Sequence, residues 1–184
     1  MFRALGWETD AVQFRRAGVR VGADDDDDRD ARDEILDGFA IDVRSDALEM
    51  ARLYTLLFCL ENSARQLIED RLKERFGETW WTEGVQSGVR STAEQRQRDA
   101  ESNAWLADAY RDRVMTFVDF GDLAKIITNR WDVFSDLIPD QSWLTQRFSE
   151  MERARNAVAH HRSLDAEEFR RLYIHIRDWT RQTA

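Results

Sequence analysis

The chain has 184 residues, a formal net charge of −9, eight Gly and one Pro. That length suits one domain with a real core, and so few turn residues exclude an all-β fold. A single cysteine, Cys59, leaves no intramolecular disulfide. No apolar run reaches the length of a bilayer span, and the N-terminal stretch lacks the apolar core of a secretory signal. The expectation is a cytoplasmic, mostly helical protein.

Residues 1–45 stand apart as an acidic N-terminal arm, with twelve acidic and seven basic residues and an unbroken aspartate run from Asp24 to Asp28. Like charges in a block repel one another and read as a solvated segment; the run lacks the glycine and ligand alternation of a calcium loop. Apolar and polar residues alternate through Ala11, Val12, Gln13 and Phe14, then Val19, Arg20 and Val21, suggesting a short strand. Phe39 to Val43 offers a partner, so the arm is expected to be extended or to form a short β-hairpin.

Residues 46–184 read as one domain. Ser45 is placed to cap a long helix whose apolar stripe runs Met50, Tyr54, Leu57, Glu61, Ala64, Ile68 and Leu72 before Gly77 ends it. Trp80 and Trp81 follow, placed either to stack on unpaired bases or to close the end of a core. Residues 82–103 suggest a loop and then a solvated helix from about Thr92, which gains Trp105, Leu106, Ala109 and Tyr110. A third helix is expected from about Asp122 through Trp131, Phe134 and Ile138 to the stop at Pro139. A fourth starts near Asp140 or Ser142 and carries Leu144, Phe148, Met151, Arg155 and Val158. Asp165 caps a fifth with Phe169, Leu172, Tyr173, Ile176 and Trp179 on its apolar face. The sum is an all-α antiparallel bundle of four to five helices.

Two charges interrupt the apolar stripes. Glu61 stands in the stripe of the first helix and Arg155 in that of the fourth; an unpaired buried ion costs on the order of several kcal/mol. Either the two meet across the bundle, or each escapes to solvent, or Glu61 pairs with Arg65 one turn on. Asn156 and His160 are four apart on one helical face, with Arg153 seven before His160. His161 reads as a solvated residue at the helix end and His175 as a surface residue.

Arg155-Asn156-Ala157-Val158-Ala159-His160 matches the Arg, polar residue, spacer and His motif of the HEPN superfamily (higher eukaryotes and prokaryotes nucleotide-binding). Leu57 to Asn62 with Ala64 and Arg65 resembles the first long helix of one branch. That branch is typified by the HEPN domain of a eukaryotic transcript-surveillance endoribonuclease and includes abortive-infection-like bacterial members. Phe120-Gly121-Asp122-Leu123, Ile126, Ile127, Trp131 and Phe134 resemble its middle segment, so the likeness spans about residues 47 to 182. It implies an all-α bundle, a homodimer with both motifs in one composite two-fold cleft, and RNA cleavage in defence or stress.

In that chemistry the RNA 2′-hydroxyl is the nucleophile. His160 would serve as general acid or base, Arg155 would stabilise the phosphate and Asn156 would position it, with Glu61, Arg65 and Arg153 in support. No metal or cofactor is required, and neither DNA nor a membrane is an expected partner. The other reading is a non-catalytic helical module for dimerisation, nucleotide binding or partner-protein binding. Toxins of this kind that a nucleotidyltransferase neutralises often carry a tyrosine two residues after the motif histidine; here Arg162 stands there.

Charge is unevenly spread. Residues 1–50 hold 14 acidic and 7 basic residues, and residues 51–184 hold 22 and 20, so the segment bearing the motif is almost neutral. Of the 27 basic residues 25 are arginine, a bias that fits phosphate handling as well as GC-rich codon usage. The acidic arm is a candidate phosphate mimic, in which case its deletion would increase RNA binding.

Overall fold

A computed structural model of the chain describes residues 32–102 and 113–183. The aspartate run, the strand expected at residues 11–21 and the apolar set Trp105, Leu106, Ala109 and Tyr110 lie outside them. Two compact units are distinguished, Met1–Ser45 and Asp46–Ala184. Within the first, residues 32–36 are helical and Arg44 pairs with Asp37.

Seven α-helices follow among the described residues: α1 (Ile41–Phe76), α2 (Trp80–Gly84), α3 (Ser87–Ser102), α4 (Phe120–Asn129), α5 (Trp131–Phe134), α6 (Gln141–Ala159) and α7 (Ala166–Gln182). No strand occurs among the described residues. The strand expected at Phe39 to Val43 is therefore corrected. Phe39, Ile41 and Val43 are all more than half exposed, and alternation specifies a strand only where one face is buried. The first long helix accordingly begins at Ile41 rather than after Ser45, and the Asp42 carboxylate accepts the Val43 N–H.

α1 buries Leu53, Leu57, Leu60, Glu61, Ala64, Ile68 and Leu72. It ends where Gly77 takes φ +56°, a left-handed conformation that costs glycine little. The stripe expected from sequence shares five of these residues, whereas Tyr54 is 57% exposed. α3 starts at Ser87, five residues earlier than Thr92. The expected third helix is two helices, broken at Arg130 (φ −111°, ψ 43°). The starts of α6 and α7 follow the sequence: the Asp140 carboxylate accepts the Trp143 N–H at 2.7 Å, and Asp165 with Glu168 forms a full capping box.

α4 packs on α6, and α6 on α7. Arg147 meets Asp178 and Glu150 meets His175, so partner numbers fall along α7 as they rise along α6, which makes the pair antiparallel. Phe120, Phe148 and Trp179 form a ring column, each neighbouring pair 5.2 Å apart. Trp80, Trp81, Trp131 and Trp143 pack partly buried against this core. Trp81 also donates its indole N–H to Glu94, so the Trp80–Trp81 pair closes the core rather than standing free. Tyr173, expected on the apolar face of α7, is 53% exposed.

Arginine has a structural use that composition did not disclose. Arg65 donates to the Val118 carbonyl, Arg71 to Val133, Arg96 to Phe117 and Arg130 to Gly84, tying together segments distant in the chain. The planar guanidinium suits this, because several donors leave it in fixed directions. Among the described residues, no helix is long and apolar enough to cross a membrane.

Candidate functional site

One turn-by-turn row of α1, namely Tyr54, Leu57, Phe58, Glu61, Asn62 and Arg65, forms a wall of a groove of about 510 Å³. The facing wall is the last turns of α6, with Arg155, Val158 and Ala159, and His161 just beyond. The i, i+3, i+4, i+7 spacing on α1 brings its polar and aromatic members onto one side.

At the centre of the groove lies a three-residue charge network. Glu61 Oε1 accepts from Arg65 Nη2 at 2.5 Å, and Glu61 Oε2 lies 3.7 Å from Arg155 Nε. Arg65 also donates to the Val118 carbonyl at 2.9 Å. Burial pushes the Arg65 guanidinium below its ordinary value; Glu61 opposes that shift and the positive charge of Arg155 adds to it. The Arg65 side chain is 15% exposed and that of Arg155 is 40% exposed. Two of the pairings open at the level of sequence thus coexist: Glu61 bridges to Arg65 within its helix and to Arg155 across the bundle.

Arg155 does not occupy the core-facing stripe expected for it. α6 buries Leu144, Phe148, Met151, Ala154 and Ala157 instead. Ala154 takes the inward position, and Arg155 stands beside it at the groove's edge. Its Nη1 donates to Asn156 Oδ1 at 3.3 Å.

Two of the three histidines sit on a sealed helix end. His160 is the C-terminal cap of α6, and its N–H donates to the carbonyls of Asn156 and Ala157. His161 has φ +56°. Its N–H donates to Val158 and that of Arg162 to Ala157, the paired bonds of a Schellman ending. Glycine usually holds this left-handed position, so a histidine here carries backbone strain of order 1 kcal/mol. His160 is exposed. It is His161, not His160, that lines the groove beside Arg155. Periodicity missed this because it extrapolates the helix through residue 161, whereas the turn to positive φ redirects the chain.

Asn156 and Arg153 face the other side of α6. There they line a second cavity of about 510 Å³ with Arg162, Arg171, Glu150 and Glu168. The candidate set is therefore divided: Glu61, Arg65 and Arg155 share one groove, Arg153 and Asn156 a second, and His160 stands exposed at the helix tip. His175 is corrected from surface to part-buried. Its side chain is 13% exposed, and Nε2 contacts Glu150 Oε2 at 2.8 Å. That hydrogen bond holds the Glu150 carboxyl below the ordinary glutamate range.

Against known proteins, a family model described as Swt1-like HEPN matches residues 55–183. No curated protein and no solved structure matches the chain.

Proposed function

The chain belongs to the Swt1-like HEPN family, and from that premise we propose that it is an endoribonuclease that cleaves RNA without a metal ion, acting in defence or stress. The 2′-oxygen attacks the adjacent phosphorus and the P–O5′ bond breaks, leaving a 2′,3′-cyclic phosphate and a 5′-hydroxyl. One proton leaves the 2′-hydroxyl and one reaches the 5′-oxygen; His160 is the group assigned to these transfers. Arg155 stabilises the charge gathered on the phosphoryl oxygens. Asn156, whose amide oxygen accepts from Arg155, orients that guanidinium, and Arg153 draws the strand toward the helix end. Two copies related by a two-fold axis would bring both motifs to one cleft.

The observation that carries this reading is the division of labour between the two arginines. Arg65 takes the inward, structural role, tied to Glu61 and to the Val118 carbonyl. Arg155 is held by the far oxygen of the same carboxylate yet stays 40% exposed at a groove. That exposure leaves the Arg155 guanidinium open to a phosphate entering the groove.

The test is RNA cleavage in EDTA by the wild type, His160→Ala, His161→Ala and Arg155→Gln, compared at matched fold stability. Cyclic phosphate ends from the wild type that vanish in His160→Ala and Arg155→Gln are the expected result. Equal activity in His160→Ala would remove that residue from the chemistry, and loss confined to His161→Ala would transfer the role to its neighbour. RNA binding with no cleavage in any form would leave a binding module. Sedimentation velocity tests the dimer.

A further inference from the structure

The groove beside Arg155 continues past the charge network. A smaller cavity of about 160 Å³ shares Phe58, Asn62, Arg65 and Thr116 with it and extends along α1 to Gln66 and Glu69, where Arg113 also lines it. Two aromatic rings with no core to fill stand along it, Tyr54 in the larger groove and Phe58 where the two cavities meet. Tyr54 is 57% exposed and Phe58 51%. Their centroids are 6.1 Å apart with planes inclined by 38°.

Exposed aromatic rings in a groove fit two occupants, and the rest of the lining discriminates between them. The central patch of a protein–protein contact is depleted of lysine and carboxylates while arginine and aromatic rings are enriched there, so the discriminating feature is the length of the polar track that runs on past the rings. Here the same walls carry Arg65, Arg113, Arg155, Asn62 and Gln66. The two acids in the lining are already engaged: Glu61 with Arg65 and Arg155, Glu69 with Lys73 and Arg113. Cations spaced along a track with aromatic faces at its side are the arrangement that holds unpaired nucleic acid, the backbone on the charges and the bases on the rings.

We infer that Tyr54 and Phe58 form a base-stacking platform that makes the groove select single-stranded over duplex RNA, with Arg113 holding a phosphate further along the strand. This deepens the ribonuclease reading and rests on it for the identity of the polymer. A base paired in a duplex has no free face to offer these rings, so the selection follows from geometry rather than from sequence. Tyr54 uses its ring and not its hydroxyl, so phenylalanine should replace it without loss.

The probe is a single-stranded oligoribonucleotide with 2′-O-methyl sugars, which cannot be cleaved, beside its abasic counterpart and its duplex. Binding to the full chain is measured over a range of salt. Tyr54→Ala and Phe58→Ala should each weaken single-strand binding by roughly 5- to 100-fold with the salt slope unchanged, while Tyr54→Phe binds as the wild type. Arg113→Gln should lower the slope by about 0.7. The abasic strand should bind wild type and alanine variants equally weakly. Both rings are exposed, so the helix tolerates alanine, and unchanged circular dichroism checks this.

Wild-type affinity in both alanine variants, or equal losses on the abasic strand, would overturn the platform. So would a change confined to the sedimentation coefficient, which would give the rings to a second copy of the chain. Failure of the ribonuclease reading looks different: single-strand binding falls in the alanine variants while the wild type never produces cyclic phosphate ends.

Discussion

Replacing Glu61 by glutamine removes one negative charge from between two guanidiniums while keeping an oxygen for Arg65 to bond. Glu61 is 9% exposed and the Arg65 side chain 15%, with 2.5 Å between their atoms. Unit charges about 4 Å apart attract by about 4 kcal/mol at an effective dielectric of about 20. Glutamine avoids the carboxylate's desolvation, and hydrogen bonds to the substituted amide oxygen and to the Val118 carbonyl keep Arg65 partly satisfied. The Arg155 pairing at 3.7 Å is screened by its 40% exposure and contributes about 1 kcal/mol or less. We expect Glu61→Gln to cost about 2–3 kcal/mol, read in urea as a lower midpoint at unchanged m-value. In double-mutant cycles Glu61 should couple more strongly to Arg65 than to Arg155. A loss below about 0.5 kcal/mol, or stronger coupling to Arg155, would refute the assignment of Arg65 as the structural partner.

His161→Gly should stabilise the fold by about 0.5–1 kcal/mol, because glycine accepts φ +56° without the strain a β-carbon brings. A lower urea midpoint would mean that histidine contacts in the groove outweigh that strain. The Glu150–His175 bond predicts a pH dependence. Glu150 has its folded value lowered from 4.5 by the His175 hydrogen bond, so the stabilisation is fully present above that pH and lost as pH falls through the lowered value. Urea midpoints measured down an acid series should therefore fall less in Glu150→Gln than in the wild type, and equal falls would detach this pair from the acid response.

Helix periodicity and capping made much of the bundle legible. Asp140, Asp165 and Gly77 announced helix ends through side-chain and φ preferences that act locally, and the structure uses all three. Phe39 to Val43 misled because alternation says nothing where neither face is buried. Nothing local in the sequence marks the interruption at Arg130, whose side chain donates to carbonyls of α2 remote in the chain. Glu61 stands out because burying an acid demands a partner, and the sequence offers Arg65, Arg155 or escape to solvent without deciding among them. Arg155 itself was placed one position too far inward, since a stripe resolves a helical face only to about 100° per residue. His161 is the exposed helix-end residue the sequence suggests, but its place in the groove is not legible, because a Schellman ending is a backbone event whose usual marker is a glycine that this chain lacks.

The sealed end of α6 separates what the loop carries from what shapes it. Its turn is held by main-chain bonds from residues 160, 161 and 162 to carbonyls in the final turns, and at residue 160 these bonds do not involve the imidazole. Histidine at 160 can therefore come and go without the fold registering the change. On the proposed assignment of His160, an active and a silent form of this domain would differ at that one residue and share one shape. Membership of the family then describes the scaffold, and activity must be established one chain at a time.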